Sequence, residues 1–203
     1  MSAKNGYEEG EGPLITQETG PELVMIQPRD TSPLTFGIYP GGVAGTQSGL
    51  TEGPPDVPFQ INLALDRLQA KGRPFLVRRY KHFSRSPVGT AHGDHPAEVT
   101  QYLNAGRQLD LVLCFRDSGE DLAEWLSFIK DHIRRHGRQL AKIQITEEPN
   151  LSTAPGSADG GFPHVRQALV QGVVAAKEES RRLGLDVQVG FNAVPSFNPA
   201  DDF

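Results

Sequence analysis

Cysteine and tryptophan are each represented once in 203 residues, by Cys114 and Trp125. A lone cysteine excludes an internal disulfide. Long apolar runs are also missing, and none approaches the ~20 residues that a membrane helix requires. The N-terminus carries Glu8, Glu9 and Glu11 and lacks the apolar segment of a secretory signal. Excess positive charge is absent too. A net charge of -5 argues against non-specific binding to nucleic acid or to an anionic membrane, since both need a basic face. These absences lead us to expect a cytoplasmic protein with no nucleic-acid partner and no membrane partner.

What remains is a composition with 37% hydrophobic and 22% charged residues, which suits one good-sized globular core. Residues 1–32 read as a flexible, disordered tail, polar at first and then broken by Pro21 and Pro28, with Pro33 just beyond. From residue 33 to 203 strand and helix patterns alternate. Strands are expected over Leu34–Tyr39, Pro74–Tyr80, Leu109–Arg116, Ala141–Glu148 and Asp186–Asn192. Helices are expected over Phe59–Lys71, Pro96–Ala105, Gly119–Arg135 and Pro163–Leu183. Pro96 suits a first helical position. Leu122, Leu126 and Ile129 recur at helical spacing, Trp125 and Phe128 widen that stripe into a core face, and Gly184 reads as a helix stop.

Strand–helix alternation implies α/β architecture with a parallel sheet, because each strand needs a crossover to return in the same direction. An open doubly wound sheet and a (β/α)8 TIM barrel both satisfy it. Side-chain alternation separates them. One face reads Phe36/Ile38, Phe75/Val77, Leu109/Leu111/Leu113, Ile143/Ile145 and Val187/Val189. The other reads Thr35/Gly37/Tyr39, Leu76/Arg78/Tyr80, Val112/Cys114/Arg116, Gln144/Thr146/Glu148 and Gln188/Gly190/Asn192. A doubly wound sheet is apolar on both faces, whereas a barrel has an inward face whose rim becomes polar. The expected fold is therefore a partial TIM barrel of about five β/α units. By this alternation Glu148 faces inward and Glu147 outward.

A first strand ending Phe36-Gly37-Ile38-Tyr39, an arginine at the tip of the second and a fourth ending Glu148-Pro149-Asn150 resemble the TIM-barrel glycoside hydrolases of the large retaining clan. In that family the fourth strand ends Asn-Glu-Pro. The resemblance implies that Glu148 is the general acid/base, that Arg78 supports the nucleophile, and that Glu147 stands where the family has a sugar-contacting Asn. The family's nucleophile lies on a seventh strand, which the 203 residues do not contain, so the isolated chain is expected to be inactive and truncated. The implied substrate-binding set is Tyr39, Arg78, Tyr80, Arg116, Glu147, Asn150 and Asn192, with carbohydrate as substrate or ligand. Open barrel edges would invite self-association.

Two other readings of the same residues stay open. One is a non-catalytic carbohydrate- or anion-binding module. The other is a different barrel chemistry in which Arg78 and Arg116 hold an anionic substrate. His82, His92, Asp94 and His95 form the only metal-like cluster, better read as a loop. Gly41-Gly42-Val43-Ala44-Gly45 lacks the spacing of a phosphate loop and is not followed directly by a helix, so it reads as a loop that supplies turns or part of a substrate rim. No cofactor or metal is expected. Cys114 reads as a packed interior residue.

Overall fold

The computed structural model describes residues 34–46, 49–86, 94–152 and 156–195. The chain divides after Pro33, and the expected tail lies outside the described residues. In chain order the elements are β1 (Phe36–Ile38), β2 (Val43–Thr46), β3 (Gly49–Glu52), α1 (Pro58–Leu68), β4 (Phe75–Phe83), a 3-10 turn (Val99–Tyr102), β5 (Gln108–Phe115), α2 (Ala123–His136), a second 3-10 turn (Gly137–Gln139), β6 (Leu140–Ile145), α3 (Val165–Arg182) and β7 (Gln188–Gly190). The fold is mixed α/β, as expected. Its centre is a five-stranded sheet in the order β1-β4-β5-β6-β7, with every neighbouring pair parallel. No helix of the described residues is long and apolar enough to cross a membrane.

The strand order runs with the sequence and shows no reversal, the feature at which doubly wound sheets place their ligands. Each crossover steps the same way, and crossovers of one hand put their helices on one face. The core reflects this. Phe75, Val77, Leu109, Leu111, Leu113, Phe115, Ile143 and Ile145 join α2 and α3 residues in one apolar cluster. Trp125, Ile129 and Ile133 repeat every four residues along α2 and are fully buried there, which is the packing of one helical stripe. Phe83, Phe115, Trp125 and Phe128 stack and tilt against one another with centroids 5.4–6.1 Å apart. The Trp125 indole N–H donates to the Ala168 carbonyl at 3.0 Å, joining α2 to α3. At Gly172 a Cβ would lie 2.7 Å from Ile145 Cγ2 and 3.0 Å from Ile129 Cδ1, so glycine lets α3 approach both sheet and α2. Gly184 stops α3 as expected. Its φ is 63°, its N–H reaches Arg181 O and the Leu185 N–H reaches Ser180 O, the two bonds of a Schellman cap.

Three expectations are corrected. No α-helix spans 96–105. Only Val99–Tyr102 turns, as a 3-10 helix, because Ala105 and Gly106 take φ of 53° and 79° while Val99, Tyr102 and Leu103 anchor in the core. The glycine-rich stretch after β1 is a hairpin strand, β2, paired antiparallel with β3. The fourth sheet strand stops at Ile145, not Glu148. Thr146 and Glu148 have left-handed φ of 65° and 45°, so strict alternation does not extend past Ile145.

Candidate functional site

The sheet face opposite the helices carries Arg78 and Tyr80 from β4, Asp110, Val112 and Cys114 from β5, and Gln144 from β6. Parallel register sets Arg78 beside Asp110 and Tyr80 beside Val112, which in turn neighbours Gln144. Arg78 Nη2 donates to Gln144 Oε1 at 2.6 Å, and Arg78 Nε lies 3.5 Å from Asp110 Oδ2. The guanidinium also sits 5.5 Å from the Tyr80 ring centroid. Tyr39, just past β1, meets Tyr80 edge-on at 5.1 Å. Gly41 gives the Tyr39 ring its space, since a Cβ there would overlap the ring.

Glu147 joins this group. Its carboxylate accepts from Gln144 Nε2 and from Asn192. The expectation that Glu147 faces outward is corrected: the left-handed residues on either side of it leave its carboxylate on the polar face. Burial pushes the Glu147 carboxyl up, and the neighbouring Glu148 charge adds to this, while Gln144, Arg78 and Asn192 oppose it. Glu148 contributes its backbone, whose N–H donates to Asn192 Oδ1 at 2.8 Å. Asn192 thus serves both glutamates, accepting from one main chain and donating to the other side chain.

The two phenols stay protonated at neutral pH. Burial pushes Tyr39 up to about 12, helped by Asp56. Burial also raises Tyr80, with the Glu147 charge second. Both are therefore hydrogen-bond donors. Asp110, missed by a reading confined to strand ends, lies one layer further into the same face, and burial raises its carboxyl against the pull of Arg78 and Lys142.

Arg116 and Asn150 do not stand free beside these groups. The Arg116 side chain is 4% exposed, with Nε 2.8 Å from Asp159 Oδ1, so the expected anion-binding arginine is already occupied by a carboxylate. Asn150 donates to Val194 O at 2.7 Å and accepts from Val194 N at 3.0 Å, which uses both ends of its amide to fix the segment after β7. Asp117 pairs with Arg85.

Asp159 is the residue that sequence reading did not find. It is fully buried. Its Oδ2 accepts from Phe115 N and from Glu147 N, each at 2.7 Å, and its own N–H donates to Glu147 O at 2.7 Å. The one available signal was that Asp159 is the only charged residue between Glu148 and His164, in a glycine-rich loop where nothing periodic marks it.

The metal-like cluster resolves into a loop anchor. Asp94 pairs with the Lys81 ammonium and accepts from His82 N at 2.9 Å, with His82 Nδ1 3.6 Å away. The His95 carbonyl accepts from Tyr80 N at 2.8 Å, and His92 lies outside the described residues. Among the described residues no group of three or more His, Cys, Asp or Glu could hold a metal ion. Cys114 is 1% exposed, and burial raises its thiol, which makes it an unreactive packed residue. Comparison of the chain with protein-family models, curated proteins and solved structures finds no match.

Proposed function

We propose that the chain is a glycoside-hydrolase-like protein on the TIM-barrel plan, and that the polar carboxyl ends of its strands form a carbohydrate site. The observation that carries this reading is the convergence of Arg78, Gln144, Glu147 and Asn192. They meet toward the carboxyl ends of parallel strands in sequential order, where barrel enzymes keep their chemistry. Neutral phenols at Tyr39 and Tyr80, an amide pair and a fixed carboxylate match the hydroxyl groups of a sugar, which both donate and accept. The resemblance to the retaining clan supports Glu148 as the acid/base that protonates the leaving oxygen and later activates water. Glu147, fixed by Gln144 and Asn192, takes a sugar hydroxyl in place of the family's Asn.

Retaining hydrolysis needs two carboxyl groups roughly 5–5.5 Å apart across the bond. Asp110 is a further carboxylate of this face, and it is paired with Arg78 in the layer beneath. That pairing favours sugar binding without turnover as the second reading. β1 and β7 each pair along one edge only among the described residues, with Phe36 and Phe191 67% and 60% exposed nearby. Self-association along these edges belongs to the same proposal.

The test combines oligosaccharide titration followed by NMR with hydrolysis of aryl glycosides. Shifts at Arg78, Tyr80, Gln144 and Asn192 that weaken in Glu147→Gln support the carbohydrate site. Turnover lost in Glu148→Gln with binding retained supports hydrolysis, and binding without any turnover selects the second reading. A panel of saccharides that moves none of these signals overturns the proposal.

A further inference from the structure

β6 ends abruptly while its neighbour β5 continues. Thr146 N still bonds Leu113 O at 2.9 Å, but Thr146 then turns left-handed. A regular parallel ladder would offer the Phe115 N–H a carbonyl from a continuing β6. Instead that N–H is taken by Asp159 Oδ2, and the same oxygen takes the Glu147 N–H. One side-chain atom from a loop therefore replaces the missing ladder bond and pins the first residue beyond the turn. The return bond from Asp159 N to Glu147 O closes the clamp on both sides of Glu147. Arg116 Nε lies 2.8 Å from the other carboxylate oxygen, Oδ1, as an ion pair, and its guanidinium lies 5.6 Å from the Phe162 ring centroid, so the carboxylate also faces a positive charge from the β5 side.

We propose that Asp159 is the positioning residue of the candidate site, fixing the backbone of Glu147 so that its carboxylate meets Gln144 and Asn192. Asp159 touches no ligand in this role and acts through Glu147. The inference rests on the site reading above for its functional meaning, but its physical content is separable. Saccharide binding tests the site, whereas the behaviour of two amide protons and one carboxyl group tests the clamp.

In the unsubstituted protein the Phe115 and Glu147 amide resonances, 32 positions apart in the sequence, should move with pH through one shared midpoint, that of Asp159. Asp159→Asn keeps an acceptor oxygen but cannot ionise. It should erase that shared component from both amides and leave the Gln144–Glu147 side-chain contact in place. Asp159→Leu keeps bulk without an acceptor. It should release Glu147 toward solvent and bring its carboxyl titration down toward the ordinary glutamate range, which a uniform loss of stability would not do in the folded population. Unrelated midpoints for the two amides, or a shared component that survives in Asp159→Asn, would overturn the proposal. So would a folded Asp159→Leu in which Glu147 titrates as before. If Asp159→Leu does not fold, the amide titration of the unsubstituted protein still decides. If no saccharide binds while the amides behave as described, the clamp stands and the site reading falls.

Discussion

A single strand, β5, has a buried arginine at each end, and the two are held in opposite ways. Arg107 precedes the strand with a fully buried side chain. It donates to Gln69 at 3.0 Å and to Asn104 at 2.6 Å and pairs with Asp66, whose own side chain is 60% exposed. Its partners are near-surface groups of α1 and the turn before β5, so it ties a helix to the foot of the sheet. Arg116 follows the strand and meets Asp159, with both side chains buried. There the carboxylate cannot be rescued by water, and its second oxygen holds backbone at the rim of the candidate site. The same chemical pair is a surface-backed brace at one end and a sealed positioning device at the other.

The difference predicts unequal responses to substitution. Asp159→Ala leaves Arg116 buried without its carboxylate and strands two amide donors. It should cost about 3–5 kcal/mol of unfolding free energy, measured by urea denaturation, as for other broken buried pairs. The smallest effect expected is that of Arg107→Met, which keeps the buried alkyl bulk and lets Asp66 pass to solvent. A loss of about 1–3 kcal/mol is expected, the worth of hydrogen bonds to a charged group. Equal losses at the two ends would remove the distinction.

A third buried basic site lies between these in expected size and sharpens the rule. His132 and His136 stack on α2 with ring centroids 5.9 Å apart and only 4% and 5% exposed. Among the described residues no carboxylate forms an ion pair with them. An arginine cannot shed its proton, but a histidine can. Burial, with His136 and then Lys81 next for His132 and Arg79 next for His136, holds His132 down at about 3 and His136 at about 4. Both are therefore neutral in the fold, while in the unfolded chain they titrate near 6.5. Above that pH neither state binds the proton and stability is unaffected. As pH falls from about 6.5 toward 4, the unfolded chain alone takes up protons, and stability drops by about 1.4 kcal/mol per pH unit per histidine. In denaturation experiments the change between pH 7 and pH 5 should be about 4 kcal/mol more unfavourable in the unsubstituted protein than in the double substitution His132→Leu with His136→Leu. That difference cancels the opposite contribution of Asp159, whose buried carboxyl is raised to about 7.

Much of the fold was legible because it rests on local pattern. The alternation of Leu109, Leu111 and Leu113 against Val112 and Cys114, and the helical spacing of Leu122, Leu126 and Ile129 with Trp125 beside them, needed no knowledge of neighbours. The same alternation contained Asp110, two positions before Val112, which a search confined to strand ends passed over. The rim was harder to read. Alternation assigned Glu147 outward, and that assignment failed at Thr146, where the backbone turns left-handed and the two-residue period ends.

By itself the sequence determined the five strands of the parallel sheet and the apolar face that α2 and α3 cover, since both follow from periodicities within one segment. It also placed polar groups toward the carboxyl ends of the strands. Only the tertiary structure decided that the Glu147 carboxylate lies on the polar face and what holds it there. The Asp159 carboxylate reaches its two amide partners across 44 and 12 positions of chain. A bond of that kind leaves no period in the sequence, because it is set by where the loop returns and not by the residues on either side of it.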